Sequence, residues 1–476
     1  VLPPDNVVTR RTLLTALAVA GGLGITGGLI DPAAASAAPA PSVPPAPLAA
    51  RQIRNEFLHA WRGYQKFAWG HDQVNPLSGT SSEFFVDGHP IGLSIIEALD
   101  TLYVMELDHD LAEGVAWIER HLDFDIDGDF HVFEAIIRVV GGLLAGYLAT
   151  GNRKLLDLTV DITDRLMPAF ASPTGMPYQY VNLHTGAVSG ATPPLAEIGT
   201  NILEFGVLSQ VTGDPKYLRA AKKAYQYAVT KRSSLSLMGT YLNVETGEWA
   251  DGVDQAPNPP VDSFYEYLWG GWALLGDHDC RAWFRMFNDA LTKYVVETYN
   301  GRTWYKQVDF QTGALVGRGQ SELAAFWGEI LDAAGDHALG ASYYRSWTAV
   351  LDRYPVLPEG IDYTTFAATS TGNQFRPEYV NGSFDLYFQT RDPYYAATAW
   401  QYFQGMKANA RCANGYTILN DVTTTPMVQG DLFPAYGFAE NFKYLYLIFS
   451  DTPRFNRGNF YLSTEGKVLK GLVRSR

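Results

Sequence analysis

The sequence predicts an all-α fold in which seven helical hairpins close into two concentric rings, with short β-rich loops. Three observations predict it. After residue 51, helical patterns recur in long stretches separated by Gly, Pro, Asp and Asn. Stretches such as 132–150 and 193–211 are apolar nearly all round, whereas those that follow them, 153–169 and 214–231, carry a Lys/Arg/Asp face. The first kind suits an inner ring and the second an outer one. Finally, Thr212-Gly213-Asp214-Pro215 joins one such pair, with Gly ending a helix and Asp capping the next. Thr150-Gly151-Asn152 and Thr390-Arg391-Asp392-Pro393 play similar parts.

In order, the expected helices fall near 51–68, 90–106, 109–122, 132–150, 153–169, 193–211 and 214–231. They continue near 261–275, 279–297, 319–335, 338–352, 374–390, 393–407 and 431–449. Segments 172–190 and 235–255 read as β-rich loops, with Thr246-Gly247 as a turn. Before all of these, Thr9-Arg10-Arg11-Thr12-Leu13-Leu14 leads into an apolar stretch and then an Ala-rich segment with A-x-A cleavage choices. Residues 1–38 are therefore expected to be a twin-arginine export signal, which directs the protein to the periplasm, the cell surface or the medium. Residues 39–50 read as a Pro/Ala linker, and 51–476 as the folded domain. No stable membrane span is expected after signal cleavage, and a monomer is expected.

Composition narrows the function. Hydrophobic residues make up 47% of the 476 and charged ones 18%, which is ample for a large core. Net charge is −14 with no basic run beyond the N-terminus, so nucleic acid is not an expected partner. The two cysteines, Cys280 and Cys412, form no C-x-x-C or Cys/His cluster that would hold zinc, and their pairing is left open.

Candidate chemistry lies in acids set among apolar residues. In HVFEAIIRVVGGLLAGY, Glu134 and Arg138 share a helix face. Their Ile, Val, Gly and Leu neighbours argue against an ordinary solvated ion pair, and burial should raise a carboxyl pKa there. Gly141-Gly142 sits inside the helix pattern and reads as close helix packing. Further acids occur at Glu97, Asp100, Glu197, Asp262, Glu266, Glu378 and Glu440. Each has a plainer reading: Asp262 as an N-cap, Glu378 as an acid suited to a helix dipole, Asp100 as a partner for backbone groups between helices. Acids near inner-helix starts would nonetheless converge at one end of a barrel. Paired carboxylates of that kind suit glycosidic hydrolysis, one donating a proton and the other activating water or attacking the sugar. No nucleophile elbow, Walker loop or dinucleotide fingerprint appears.

Taken together, DGHPIGLSIIEALDTLYVM, HVFEAIIRVVGGLLAGY, GTNILEFGVLSQVTGDPKY, VDSFYEYL, RPEYV, FAENFKYLYLIFSD and STEG resemble glycoside hydrolase family 47, the class I α-1,2-mannosidases. ELAAFWGEIL and STEGKVL are phrased more like the ER degradation-enhancing branch of that family. The resemblance implies an (α/α)7 barrel, an α-mannoside glycan substrate, bound Ca2+ and inverting hydrolysis of terminal α-1,2-linked mannose. It implies Glu134 as general acid, with Asp262 and Glu378 as the other catalytic carboxylates and Glu378 as the base. It places Arg138, Glu197, Arg376, Tyr436 and Glu440 at the sugar and Thr464 at the metal. Departures accompany it. Asn381 stands where the family carries an acid, and Pro434-Ala435-Tyr436-Gly437 replaces an acid-bearing stretch. Ala325 takes the place of a paired cysteine, and the loop Pro257-Asn258-Pro259-Pro260, expected to face the leaving sugar, is distinctive. The departures at 381 and 434–440 motivate a second expectation, a weakly active or non-catalytic mannose-binding barrel.

Overall fold

The computed structural model describes residues 43–474. The export-signal segment lies outside the described residues. The stretch read as a linker is described from 43, and its end is not a linker: helix Ala46–Phe67 starts five residues before the domain start expected at Arg51. Pro45 and Pro47 do not prevent this, because a helix's first turn leaves its N–H groups without intrahelical partners in any case.

Two rings of helices are present. The inner ring comprises Leu93–Val104, Val132–Thr150, 195–212, Asp262–Leu275, 322–334, Glu378–Thr390 and 436–449. Each packs on its neighbours in that order, and the last returns to the first. The outer ring comprises Asp108–His121, Arg153–Leu166, Lys216–Thr230, His278–Tyr294, His337–Leu351, Pro393–Asn409 and Ala46–Phe67. Every inner helix packs on the outer helix that follows it in sequence, except the last. Helix 436–449 pairs instead with Ala46–Phe67, so the two ends of the domain close the barrel.

Burial follows the pattern of the residues. All of Leu93–Val104 is buried. Arg153–Leu166 buries one stripe, Leu155, Leu158, Thr159, Ile162 and Leu166, at helical spacing. Val132–Thr150 is long and apolar enough to cross a membrane, yet 78% of its apolar window is buried inside the barrel, as a core helix would be. Gly142 permits this packing: a Cβ there would lie 2.7 Å from Ile96 Cγ2 and 2.9 Å from its carbonyl oxygen.

The turns behave as their residues dictate. Gly151 and Gly213 end inner helices with φ of 75° and 76°, and Arg391 adopts the same left-handed conformation at 62°. The Asn152, Asp214 and Asp392 side chains then accept the N–H groups of Lys154, Lys216 and Tyr394.

Links from outer to inner helices gather at the opposite end and form short antiparallel ribbons. Asp129–His131 pairs with Tyr180–Asn182, which pairs with Val188–Ser189. Further strands occupy parts of 296–321, 360–370, 411–429 and 461–470, beyond the two β-rich loops expected. Three inner helices consequently start later than their patterns suggest. Gly319–Ser321 is a strand on Gly360–Asp362, Glu378 rather than 374 opens its helix, and Tyr436 rather than 431 opens the last. Polar side chains hold these delayed starts: Asn373 Oδ1 accepts the N–H groups of Phe375 and Arg376, and Asp431 those of Leu77 and Ser78. Cys280 is buried, Cys412 partly so, and both are free thiols.

Candidate active site

At the ribbon end of the barrel, inner-helix starts surround a cavity of about 150 Å3. Glu134, Arg138, Asp262, Arg376, Glu378, Tyr436, Glu440 and Thr464 all line it, although they come from five separate stretches of chain. Of the expected site residues only Glu197 is absent from the lining. It sits beside the cavity, 3.3 Å from His131 Nε2, with its other carboxylate oxygen buried and unpartnered.

The backbone is irregular where these side chains project. Ala135–Val140 is a π-helical turn immediately after Glu134, a local widening common at functional sites. Helix 195–212 breaks at Thr200-Asn201, and 436–449 breaks at Glu440, whose φ and ψ are −118° and −78°. Phe375, buried before Arg376 and Glu378, holds φ at 64°. A bulky residue in that region stores strain that its surroundings must sustain.

Arg138 organises one wall. Its Nε donates to Glu134 Oε2 at 2.5 Å, while Nη1 donates to Glu465 Oε2 at 2.7 Å and Glu97 Oε1 at 3.3 Å. Its guanidinium lies 5.3 Å from the Phe84 ring centre and 5.2 Å from that of Tyr436. Burial opposes its charge, but the three carboxylates together push its pKa well upward. Glu134 and Arg138 are thus a largely buried pair facing the cavity, as the apolar neighbours suggested. Glu134 keeps 24% of its side chain accessible to solvent.

Across the cavity, Arg376 Nε is held by both oxygens of Glu359 at 3.0 and 3.1 Å. Its carbonyl accepts from the Tyr402 hydroxyl and from Asn441 Nδ2. Glu378, two residues on, has a buried oxygen without a hydrogen-bond partner. Burial raises its carboxyl to about 7, with Arg376 working against the rise. Asp262 is raised to about 6, again by burial. Asp262 makes no N-cap bond; its Oδ1 accepts only the adjacent Ser263 N–H at 2.8 Å, so the plain capping reading fails. Asn381 donates Nδ2 to Asp385 at 2.9 Å, which places an acid one turn below the position where the resemblance leads one to expect it.

Thr464 lines the cavity with Glu465 beside it, and its N–H donates to the Tyr267 hydroxyl at 3.4 Å. Burial pushes the Glu266, Glu440 and Glu465 carboxyls upward, Glu465 to about 7. Behind them, Lys467 pairs with Glu97, and Lys443 with Asp100 at 2.7 Å, all four fully buried. Asp100 also accepts the Val468 N–H, so the expected backbone-satisfying role holds. Glu465, Glu359, Asp385 and Lys467 were not among the expected site residues. Adjacency to Thr464 could have flagged Glu465, whereas nothing local marks Glu359.

This donor set suits a hard cation. Among the described residues the cavity lining offers Thr464, the carboxyls of Glu440 and Glu465 and a Glu378 oxygen without a hydrogen-bond partner, with no sulfur or imidazole. Such carboxylates are costly to bury unless neutralised. The cavity can therefore hold a cation, bind polyhydroxylated material, and present carboxylates from opposite walls.

A family model described as Glycosyl hydrolase family 47 matches residues 56–471. Alpha-mannosidase I MNS5 of Arabidopsis thaliana is 32% identical over 446 residues, covering 88% of this chain and 76% of that protein. Mannosyl-oligosaccharide 1,2-alpha-mannosidase IA of Sus scrofa is 30% identical over 454 residues, covering 89% and 68%. A solved structure, alpha-1,2-mannosidase from Trichoderma reesei, has the same fold, with a TM-score of 0.78 at 23% identity over 89% of this chain and 99% of that one.

Proposed function

The chain belongs to glycosyl hydrolase family 47, and from that premise we propose that it is a calcium-dependent, inverting exo-α-1,2-mannosidase. The observation that carries this reading is the convergence of Glu134, Asp262, Glu378 and Thr464 on one cavity.

In this reading Glu134 gives its proton to the glycosidic oxygen as the bond from that oxygen to the anomeric carbon breaks. Arg138 holds the Glu134 carboxylate in place. Glu378, assisted by Asp262, removes a proton from a water that attacks the anomeric carbon from the opposite face, so the configuration inverts. A raised pKa makes the ionised Glu378 a stronger base. Arg376 and Tyr436 border the sugar ring, and Glu440 receives hydroxyls. Thr464 would hold Ca2+, with Glu266, Glu378, Glu440 and Glu465 holding its water shell. A bound Ca2+ supplies fixed positive charge that orders sugar hydroxyls.

The Arg-Arg segment near residue 10 supports export by the twin-arginine route, and the wording of 322–331 and 463–469 supports kinship with the ER degradation-enhancing branch. The decisive experiment treats α-1,2-mannobiose with the Ca2+-loaded protein and follows the products by proton NMR. β-Mannose should appear first and then mutarotate. Initial α-mannose would exclude inversion, and no mannose at all would exclude the activity.

A further inference from the structure

A second cavity lies beside the outer helix His337–Leu351 and shares no lining residue with the first. About 130 Å3 in volume, against 150 Å3 for the one holding Glu134, it is walled by four aromatic rings. Trp304 and Tyr363 stack at 5.2 Å and 7°, Phe366 meets Trp304 edge-on at 5.8 Å, and Tyr299 meets Tyr363 at 6.3 Å. Trp304 is fully buried, and its Nε1–H has no hydrogen-bond partner. A buried donor of that kind is costly unless something accepts from it. Two turns set the walls. Strands Val296–Tyr299 and Arg302–Tyr305 join through Asn300 and Gly301, with φ of 48° and 71°, the two-residue turn that makes Tyr299 and Arg302 direct register partners. Phe366 holds φ at 58°, and its carbonyl accepts from the Tyr354 hydroxyl at 2.9 Å.

Arg302 lines this pocket and also an adjoining open groove of about 650 Å3. The groove runs along His337–Leu351, where Ala338, Ala341, Ser342 and Ala349 share one face and leave the space open. Thr303 Oγ1 and Ser342 Oγ, 2.6 Å apart, tie the hairpin to that helix. Arg345 is the groove's second cation. Neighbouring Arg318 is taken up by Glu297 at 2.6 Å, whereas among the described residues Arg302 and Arg345 pair with no carboxylate. On a chain of net charge −14, two exposed guanidiniums without acids are a local exception that draws anions. A guanidinium fork matches phosphate oxygens, and two of them balance the two charges of a phosphate monoester better than the single charge of a carboxylate. The rings beside them suit the C–H face of a pyranose. We propose that pocket and groove form one non-catalytic site for a phosphorylated sugar. The pyranose packs in the ring-walled pocket, and the phosphate monoester sits between Arg302 and Arg345. None of these residues takes part in the hydrolysis described above, so the site binds and does not cleave.

Calorimetry on the full chain with glucose 6-phosphate, glucose, inorganic phosphate and glucuronic acid tests it, glucose being chosen over mannose to keep the first cavity out of the signal. Glucose 6-phosphate should bind about tenfold or more tighter than each of the other three. Arg302→Gln and Arg345→Gln should each weaken it about tenfold, and Tyr299→Ala should erase its advantage over inorganic phosphate. All three side chains reach solvent, so the variants should melt with the wild type and cleave α-1,2-mannobiose at its rate. No binding of glucose 6-phosphate, or unchanged affinity in both arginine variants, would overturn the site. Inorganic phosphate bound as tightly as the ester would leave the rings without a part, and glucuronic acid bound as tightly would leave the phosphate without one; either would overturn it as well. A protein that shows the binding pattern but releases no mannose would overturn the hydrolase reading and leave this site standing.

Discussion

Arg138 Nη1 donates to Glu465 Oε2 at 2.7 Å, joining residues 327 positions apart. The contact ties the helix that carries Glu134 to the segment that carries Thr464. One guanidinium therefore fixes the proposed proton donor and the neighbour of the proposed cation site at the same time. A lysine could not reproduce this, because its single ammonium lacks the fork that reaches Glu134, Glu97 and Glu465 together. Arg138→Lys should lower turnover by about 10²-fold, as expected when a positioned proton donor loses its fix. Turnover within twofold of wild type would show that Arg138 does not position Glu134.

Glu134→Gln and Glu378→Gln should each lower kcat by about 10²–10⁴-fold, the usual contribution of a positioned acid or base. Mannobiose binding, followed calorimetrically, should survive in both. Full turnover in either variant would remove that residue from its role.

Glu378 must be ionised to take a proton from water. Burial raises its carboxyl to about 7 and Arg376 opposes the rise. The sign follows: kcat/KM should fall as pH drops through the folded pKa, tenfold per unit once well below it. Arg376→Gln removes the opposing charge, so this acid limb should move to higher pH. A limb that stays still or moves down would separate the limb from Glu378.

Chelation of Ca2+ should abolish mannobiose hydrolysis, with recovery on adding Ca2+ back. It should also lower Tm, because a ligand at a hundred times its Kd stabilises the fold by about 2.7 kcal/mol. Thr464→Val should lose both the activity and the Ca2+-dependent gain in Tm. A wild-type protein indifferent to chelation in rate and melting would remove Ca2+ from the account.

Lys443 and Asp100 are an ion pair with no access to water, 0% and 1% exposed. Lys443→Met leaves Asp100 charged and buried, which should cost about 3–5 kcal/mol in urea unfolding. A loss below about 1 kcal/mol would overturn this account of the pair.

Much of this molecule is legible in local pattern. Helices that are apolar all round and helices with one polar face announce the two rings, because each ring dictates how many sides of a helix meet water. Gly151, Gly213, Asn152 and Asp214 mark turns through local backbone demands. Short motifs likewise single out Glu134, Asp262, Glu378 and Thr464. The delayed helix starts at Glu378 and Tyr436 were not legible, since side chains such as Asn373 and Asp431, which satisfy the intervening backbone, give no periodic signal.

What the sequence determined by itself is the set of helices and their inner or outer character, consequences of periodicity and side-chain type, while the roles proposed for its acids came from the resemblance its motifs carry. Only the tertiary structure decided who meets whom. It closed the barrel by setting Ala46–Phe67 against the last inner helix, brought Glu465 and Glu97 to Arg138, and set Glu197 beside His131 outside the cavity. Such contacts join residues far apart in the chain. They are fixed by how seven packed helices share one end of a barrel, and no local stretch contains that information.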